Sequence, residues 1–301
     1  MNRVATIPLQ RTMADAIQRA QQNLATTQRA LSTGKKALDY ASLGTQAVRT
    51  MSANTMLAKQ DAQALVSKHV TTTLAIYDAH VTGIDNAMID LRTQLVTAIG
   101  TDESVGLQES IKSTFEQFRT TLNAREGGVA LFAGSRTDVS PFAPQTLDDV
   151  VATAAADAFR NDDVKAVAHL SEGTKVTYGL TASDVGAEIY ETFRTLAAAG
   201  PIGSRLTDVQ KAALQDAVAQ IDAGSVGLRS LNAENGRRQE RVETLGERAE
   251  QRSLLLQDII ASNVDADLGQ VAVDLAQQKA TLEASYSVFA QLTQLNLTKY
   301  L

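Results

Sequence analysis

The chain has 301 residues, with 28 Lys and Arg against 34 Asp and Glu, and a formal net charge of −6. Cysteine and tryptophan are absent and histidine occurs three times, which excludes a disulfide scaffold, a Cys- or His-rich zinc site and a cysteine nucleophile. The acidic balance, without a basic stripe interleaved with aromatics, speaks against nucleic-acid binding, and no run approaches the roughly 18 apolar residues of a membrane-spanning helix.

The first 50 residues are basic, with seven Lys and Arg against Asp15 and Asp39. Within them Ile17, Leu24, Leu31 and Leu38 recur at intervals of seven, with Met13 and Ala20 on the adjoining seam. This heptad pattern predicts a helix that needs a partner helix. The start of the chain has no apolar stretch of the kind a cleaved secretory signal carries. Gly34 breaks the first helix, because glycine costs roughly 1 kcal/mol against alanine in a helix interior.

A second helix is predicted from about Ala47 to Ile99, with Val70, Leu74, Tyr77, Val81, Ile84, Met88, Leu91 and Leu95 in alternating steps of four and three. Gly100 is expected to stop it, and Thr101-Asp102-Glu103 to begin a third helix. The apolar face of that helix is Leu107, Ile111, Phe115, Phe118 and Leu122. Val129–Ala133 reads as a short buried strand, residues 134–144 as turn, and Lys175–Gly179 as a strand ending in a turn. Helices return at about Gly186. Thr207 and Gln210 fit a capping box at the head of a helix running to about Ser262-Asn263. The last segment carries Leu268, Leu275, Leu282 and Phe289 at strict sevens, flanked by Leu292.

At 1.5 Å per residue the helix from 47 to 99 would be about 80 Å long. The helix from 207 to 262 matches it. Two such helices on either side of a small insertion should lie antiparallel, with the terminal heptads paired and the middle of the chain at the far tip. The predicted fold is mainly α: a long antiparallel helical bundle built from both chain ends, with a small mixed α/β insertion. Its expected parts are 1–43 with 263–301, 44–134 with 186–262, and the insertion 135–185.

The residues at the joints carry a resemblance. Leu31-Ser-Thr-Gly-Lys-Lys36 resembles the motif closing the first helix in the flagellin superfamily. Ala261-Ser-Asn-Val-Asp-Ala-Asp-Leu268, continued by Leu275–Tyr286, resembles that superfamily's C-terminal element. Leu131-Phe-Ala-Gly-Ser-Arg-Thr-Asp138 with Pro141-Phe142 is similar to a stretch of the hook–filament junction branch, the third hook-associated proteins. The ending Asn296–Leu301, with Tyr300 and Leu301, is similar to the same branch. Lys36–Leu43 departs from the polar turn usual after the first motif.

The resemblance implies a non-enzymatic, extracellular structural protein of the bacterial flagellum, without cofactor or metal. It implies export through the flagellar type III apparatus with the help of a chaperone. It also implies a ring of identical subunits between the other junction protein and flagellin, without membrane insertion. The terminal residues Ile17, Leu24, Leu31, Leu38, Leu268, Leu275, Leu282, Phe289, Leu292, Tyr300 and Leu301 are the expected subunit interface. A short flagellin forming the filament itself is the alternative within this class. A secreted binding module would need aromatic platforms in the insertion, where Phe142, Phe159 and Tyr178 are available.

Other signals point to ordinary structure. His69 and His80 stand too far apart for one metal site. Asp148-Asp149 and Asp162-Asp163 lack the alternating oxygen donors of a calcium loop and read as solvated acidic surface, and Asp265 and Asp267 fit a helix start or an inter-subunit role better than an acid–base pair. Gly134-Ser135 lacks the second glycine of a nucleophile elbow.

Overall fold

The structure is a computed structural model and describes residues 6–171 and 173–294. In chain order it contains α1 (Thr6–Thr33), a 3₁₀ turn (Gly44–Gln46), α2 (Ala47–Thr101) and α3 (Leu107–Leu122). Then come β1 (Arg125–Glu126), β2 (Val129–Ala130), α4 (Leu147–Ala152), α5 (Ala155–Ala158), β3 (Ala166–Ser171) and β4 (Thr174–Tyr178). The chain closes with α6 (Ala182–Ala198), α7 (Asp208–Val264) and α8 (Leu268–Gln294). It divides into a terminal unit, Met1–Gln60 with Gln251–Leu301, and a central unit, Asp61–Glu250. Helices α2 and α7 contribute to both.

In the central unit α2 and α7 run antiparallel. Asn235 donates to the Leu74 carbonyl at 2.7 Å, Asn232 to Thr82 at 2.8 Å, and Arg229 to Asp85 at 3.0 Å. Arg92 holds Asp222 at 2.6 Å. As α2 advances, its partners on α7 recede, which is the out-and-back course that the matched helix lengths predict. The alternating steps of four and three place Val70 through Leu95 on one buried face.

Helices α3 and α6 cover that face, and the core between them is aromatic. Phe115, Phe118, Phe142, Phe193 and Tyr190 interlock with ring centroids 5.3–6.2 Å apart. Such edge-on and tilted contacts each add about 0.5–1.5 kcal/mol beyond the area they bury. Phe142, Val150 and Ala158 come from the insertion, so 141–158 shares this core. The antiparallel β3–β4 hairpin packs Ala168, Leu170 and Val176 on Val70, Leu74 and Val242. The insertion therefore lies beside the long helices at the level of residues 70–77. The far end of the helix pair is instead the turn where Ser104 meets Gly203 and Ser204. The physical reason is burial: the insertion's apolar side chains find their cover against the helices.

Two helix boundaries differ from the sequence expectation. Helix α2 passes through Gly100 and ends at Thr101, where Asp102 takes the left-handed conformation at φ 62°. Buried Ala98 and the packed Ile99 outweigh the glycine cost there. Lys211 holds the Asp102 carboxylate at 2.8 Å, and that bond keeps it below the usual carboxylate range. Consequently α3 starts at Leu107 behind Gly106, not at Thr101. Helix α6 starts four residues before Gly186, because Thr181 and Asp184 form a full capping box. The capping box of Thr207 and Gln210 stands as expected, with both reciprocal bonds at 3.1–3.2 Å.

Candidate assembly surface

The terminal unit is built by pairing the two ends of the chain. Helices α1 and α8 pack against each other, and Gln21 bonds the Tyr286 hydroxyl across the pair. On α1 the half-buried positions include Met13, Ile17, Ala20, Leu24 and Thr27. On α8 Val271, Leu275, Gln278, Ser285 and Phe289 are half-buried and Leu282 is buried, again in steps of four and three.

The two joint motifs meet. The backbones of Lys35 and Asp265 pair as an antiparallel β-bridge, in which the Ala266 amide donates to the Gly34 carbonyl at 2.9 Å and the Lys36 amide donates to the Val264 carbonyl at 2.9 Å. The Lys36 ammonium caps the carbonyl of Ser262 at 2.8 Å near the end of α7, where a cation also complements the helix dipole. Asn263 and Thr50, both buried, bond at 3.3 Å beneath the joint. Gly34 makes the turn with φ 70°, a conformation glycine adopts without steric cost. Asp267 accepts from the amides of Gly269 and Gln270 at 2.9 and 3.2 Å and so starts α8.

The interface residues read from the sequence divide. Ile17, Leu24, Leu275, Leu282 and Phe289 turn toward the α1–α8 seam. Leu31, Leu38 and Leu268 are exposed, at 40%, 59% and 50%. Leu38 has left the helix, which ends at Thr33, so the heptad count no longer sets its direction. Leu292 lies in α8, its side chain outside what is described. Tyr300 and Leu301 lie outside the described residues.

Other exposed apolar side chains of this unit carry no heptad signature. Tyr40, Val48, Met51, Leu254, Leu255 and Val273 all stand in water. A groove lined by Leu38, Tyr40, Leu43, Ile260 and Val264 opens beside the joint. The paired exposed leucines at 254 and 255 were the available sequence signal for such a surface. Among the described residues Ala37, Ala53 and Leu282 are the buried apolar side chains of the whole unit.

The stretch 131–142 belongs to the central unit; Phe132-Ala133 and Pro141-Phe142 at its ends are buried, and 135–138 between them are exposed. Phe132 is fully buried, edge-on to Tyr77 at 5.3 Å. The Tyr77 hydroxyl donates to the Leu131 carbonyl at 2.7 Å, and burial pushes its pKa up to about 12. Gly134 has φ 67°, and a Cβ there would sit 2.5 Å from the Asp162 carbonyl oxygen. Asp162 accepts from the hydroxyl and amide of Ser135 and from the amide of Val164, bonds that hold it below the usual carboxylate range. Asp149 closes a capping box with Thr146. Asp149 and Asp162 thus act as local clasps of the backbone. Phe142, considered as a binding platform, is fully buried, and Phe159 packs against it at 5.5 Å.

His69 is exposed. His80 is half-buried against Phe132, and burial lowers its pKa while the Glu126 carboxylate opposes that shift. Among the described residues no group of three or more His, Asp or Glu side chains could hold a metal ion. No helix among them is long and apolar enough to cross a membrane.

Two solved structures share this arrangement. A Vibrio parahaemolyticus protein named as a flagellar hook-associated protein superposes with a TM-score of 0.60 at 14% identity, over 72% of this chain and 96% of its own. FlgL of Bacillus cereus superposes with a TM-score of 0.55 at 14% identity, over 71% of this chain and 99% of its own. The fold is that of the flagellar hook-associated proteins. The chain matches no protein-family profile and no curated protein sequence. At such low identity the likeness lies in the helical plan.

Proposed function

We propose that this chain is a structural subunit of the bacterial flagellum, placed at the hook–filament junction. It is exported unfolded through the flagellar type III apparatus and acts without catalysis. The observation that carries the reading is the terminal unit: it pairs α1 with α8, buries almost no apolar side chain among the described residues, and presents leucine, valine, methionine and tyrosine to water. Ordering a residue costs about 1–2 kcal/mol in backbone entropy. A seam position returns about 1.5–3 kcal/mol only when fully covered, and most seam positions here are half-covered. Neighbouring copies would supply the missing cover. The terminal helices therefore fold on assembly, which suits a chain that threads a channel before it polymerises.

The same logic gives the partners. Identical copies, the other junction protein and flagellin would cover the exposed apolar residues. An export chaperone would hold Leu275, Leu282 and Phe289 before assembly, and deleting 265–301 should abolish that binding.

Gold-labelled antibody against 140–185, imaged on native flagella by electron microscopy, tests the reading. A short labelled band where hook meets filament is expected. Label along the whole filament would make the chain a short flagellin. Flagella without label would overturn the flagellar assignment.

A further inference from the structure

The flanks of α7 between residues 237 and 250 carry opposite charge. Val242, Gly246 and Ala249 point inward, and Gly246 lies so close to α2 that a Cβ would meet the Ser67 side chain at 2.9 Å. On one flank Glu243, Glu247 and Glu250 follow each other by four and three residues, one helix face. They line an open groove with Ser67, Lys68 and Thr71 of α2. The Ser67 hydroxyl is buried there, with no hydrogen-bond partner. On the other flank Arg237, Arg241 and Arg248 share a face and line a second groove with Glu240 and Thr174. Counting Lys68 and Glu240, one groove is acidic and the other basic by equal amounts. All of these residues lie within the central unit.

The geometry points to a lateral, head-to-tail contact between copies of this chain. The acidic flank of one α7 faces the basic flank of the next, at the same level along the helix. A partner with one sign of charge would use one flank and leave the other idle; a second parallel copy satisfies both. Because the two flanks differ, the contact is heterologous, and repetition generates a ring or helical array, not a closed pair. Oppositely charged rows flanking a helical seam set partner choice and register in coiled coils in the same way, and like-charge juxtaposition rejects wrong pairings. The inference rests on the self-assembly proposed above.

The chain contains no cysteine, so introduced thiols report this contact alone. The full-length Arg241→Cys/Glu247→Cys variant, expressed in cells and treated with a short bifunctional maleimide on isolated flagella, should give a ladder of dimers, trimers and higher species. Either single cysteine variant should give no ladder. Reversing one flank, as in E243R/E247R/E250R or R237E/R241E/R248E, should lower incorporation by about tenfold or more. Co-expression of the two reversed chains should restore it, since each then offers the flank the other needs. Chain present in flagella without a ladder, or reversed chains that incorporate like the parent, overturns the inference and leaves the junction reading intact. Chain absent from flagella overturns the junction reading and the inference with it.

Discussion

The central and terminal units are both made of long helices with heptad patterning, yet they differ in what the pattern meets. In the central unit the stripe of α2 finds α3, α6 and the insertion, and Leu74, Met88, Leu91 and Leu95 are fully buried. In the terminal unit the stripes of α1 and α8 pair with each other, and among the described residues of the predicted interface Leu282 alone is buried. The same periodicity therefore encodes a self-sufficient core in one place and an unfinished one in the other. Composition separates them as well, because the aromatic residues that interlock around Phe142 all belong to the central unit. A heptad stripe predicts a partner helix; the bulk available from other elements decides whether the chain itself supplies enough cover.

The comparison breaks most visibly by truncation in the core. Phe142→Ala should lower the stability of the central unit by about 3–5 kcal/mol, as large cavities do, and chemical denaturation followed by far-UV circular dichroism would read it. Gly134→Ala should cost about 1–3 kcal/mol, because φ 67° and the Asp162 backbone both oppose a Cβ; the same melt reports it.

A smaller effect concerns pH. Burial holds the His80 pKa below its ordinary 6.5, so the unfolded chain binds that proton more readily. The contribution of His80 is complete above the ordinary value and is lost as pH falls through it toward the folded one. The thermal midpoint of the main transition should therefore fall between about pH 7 and pH 5.5, a window set by the ordinary histidine value, and His80→Gln should flatten that slope. Asp184 acts in a separate, lower window. Burial opposes its ionisation, but Lys165 and Thr181 overcome that and hold it below 3.8, so its share is lost only as pH falls below that value.

The smallest effect is expected where the pattern looks identical. Leu282→Ala in the free chain should move the main transition by less than about 0.5 kcal/mol, because α8 is not part of that transition. A loss comparable to Phe142→Ala would mean that the two units fold as one.

The helical plan was legible because periodicity over 50 residues and a Thr-x-x-Gln capping box are local signals. The antiparallel pairing followed from helix lengths alone. The end of α2 was not legible: Gly100 carries a stop signal, but tertiary packing of Ala98 and Ile99 carries the helix past it, and the turn falls on Asp102. The start of α6 was legible in Thr181 and Asp184, a capping box that the glycine at 186 obscured. The joint was visible as two motifs but not as a contact, since nothing local says that Lys35 meets Asp265. The roles of Asp149 and Asp162 were hidden because a clasp and a solvated carboxylate look alike in sequence. The exposed Leu254, Leu255 and Tyr40 fell outside the heptad frame and so escaped the count.

Amide hydrogen exchange on the free full-length chain tests the central claim most directly. The account predicts that amides of α1 and α8 exchange at least about a thousandfold faster than those of α3 and α6, whose opening approaches global unfolding. Equal protection across α1, α8 and the central helices would contradict it, and would mean that the terminal pair is stable without neighbouring copies.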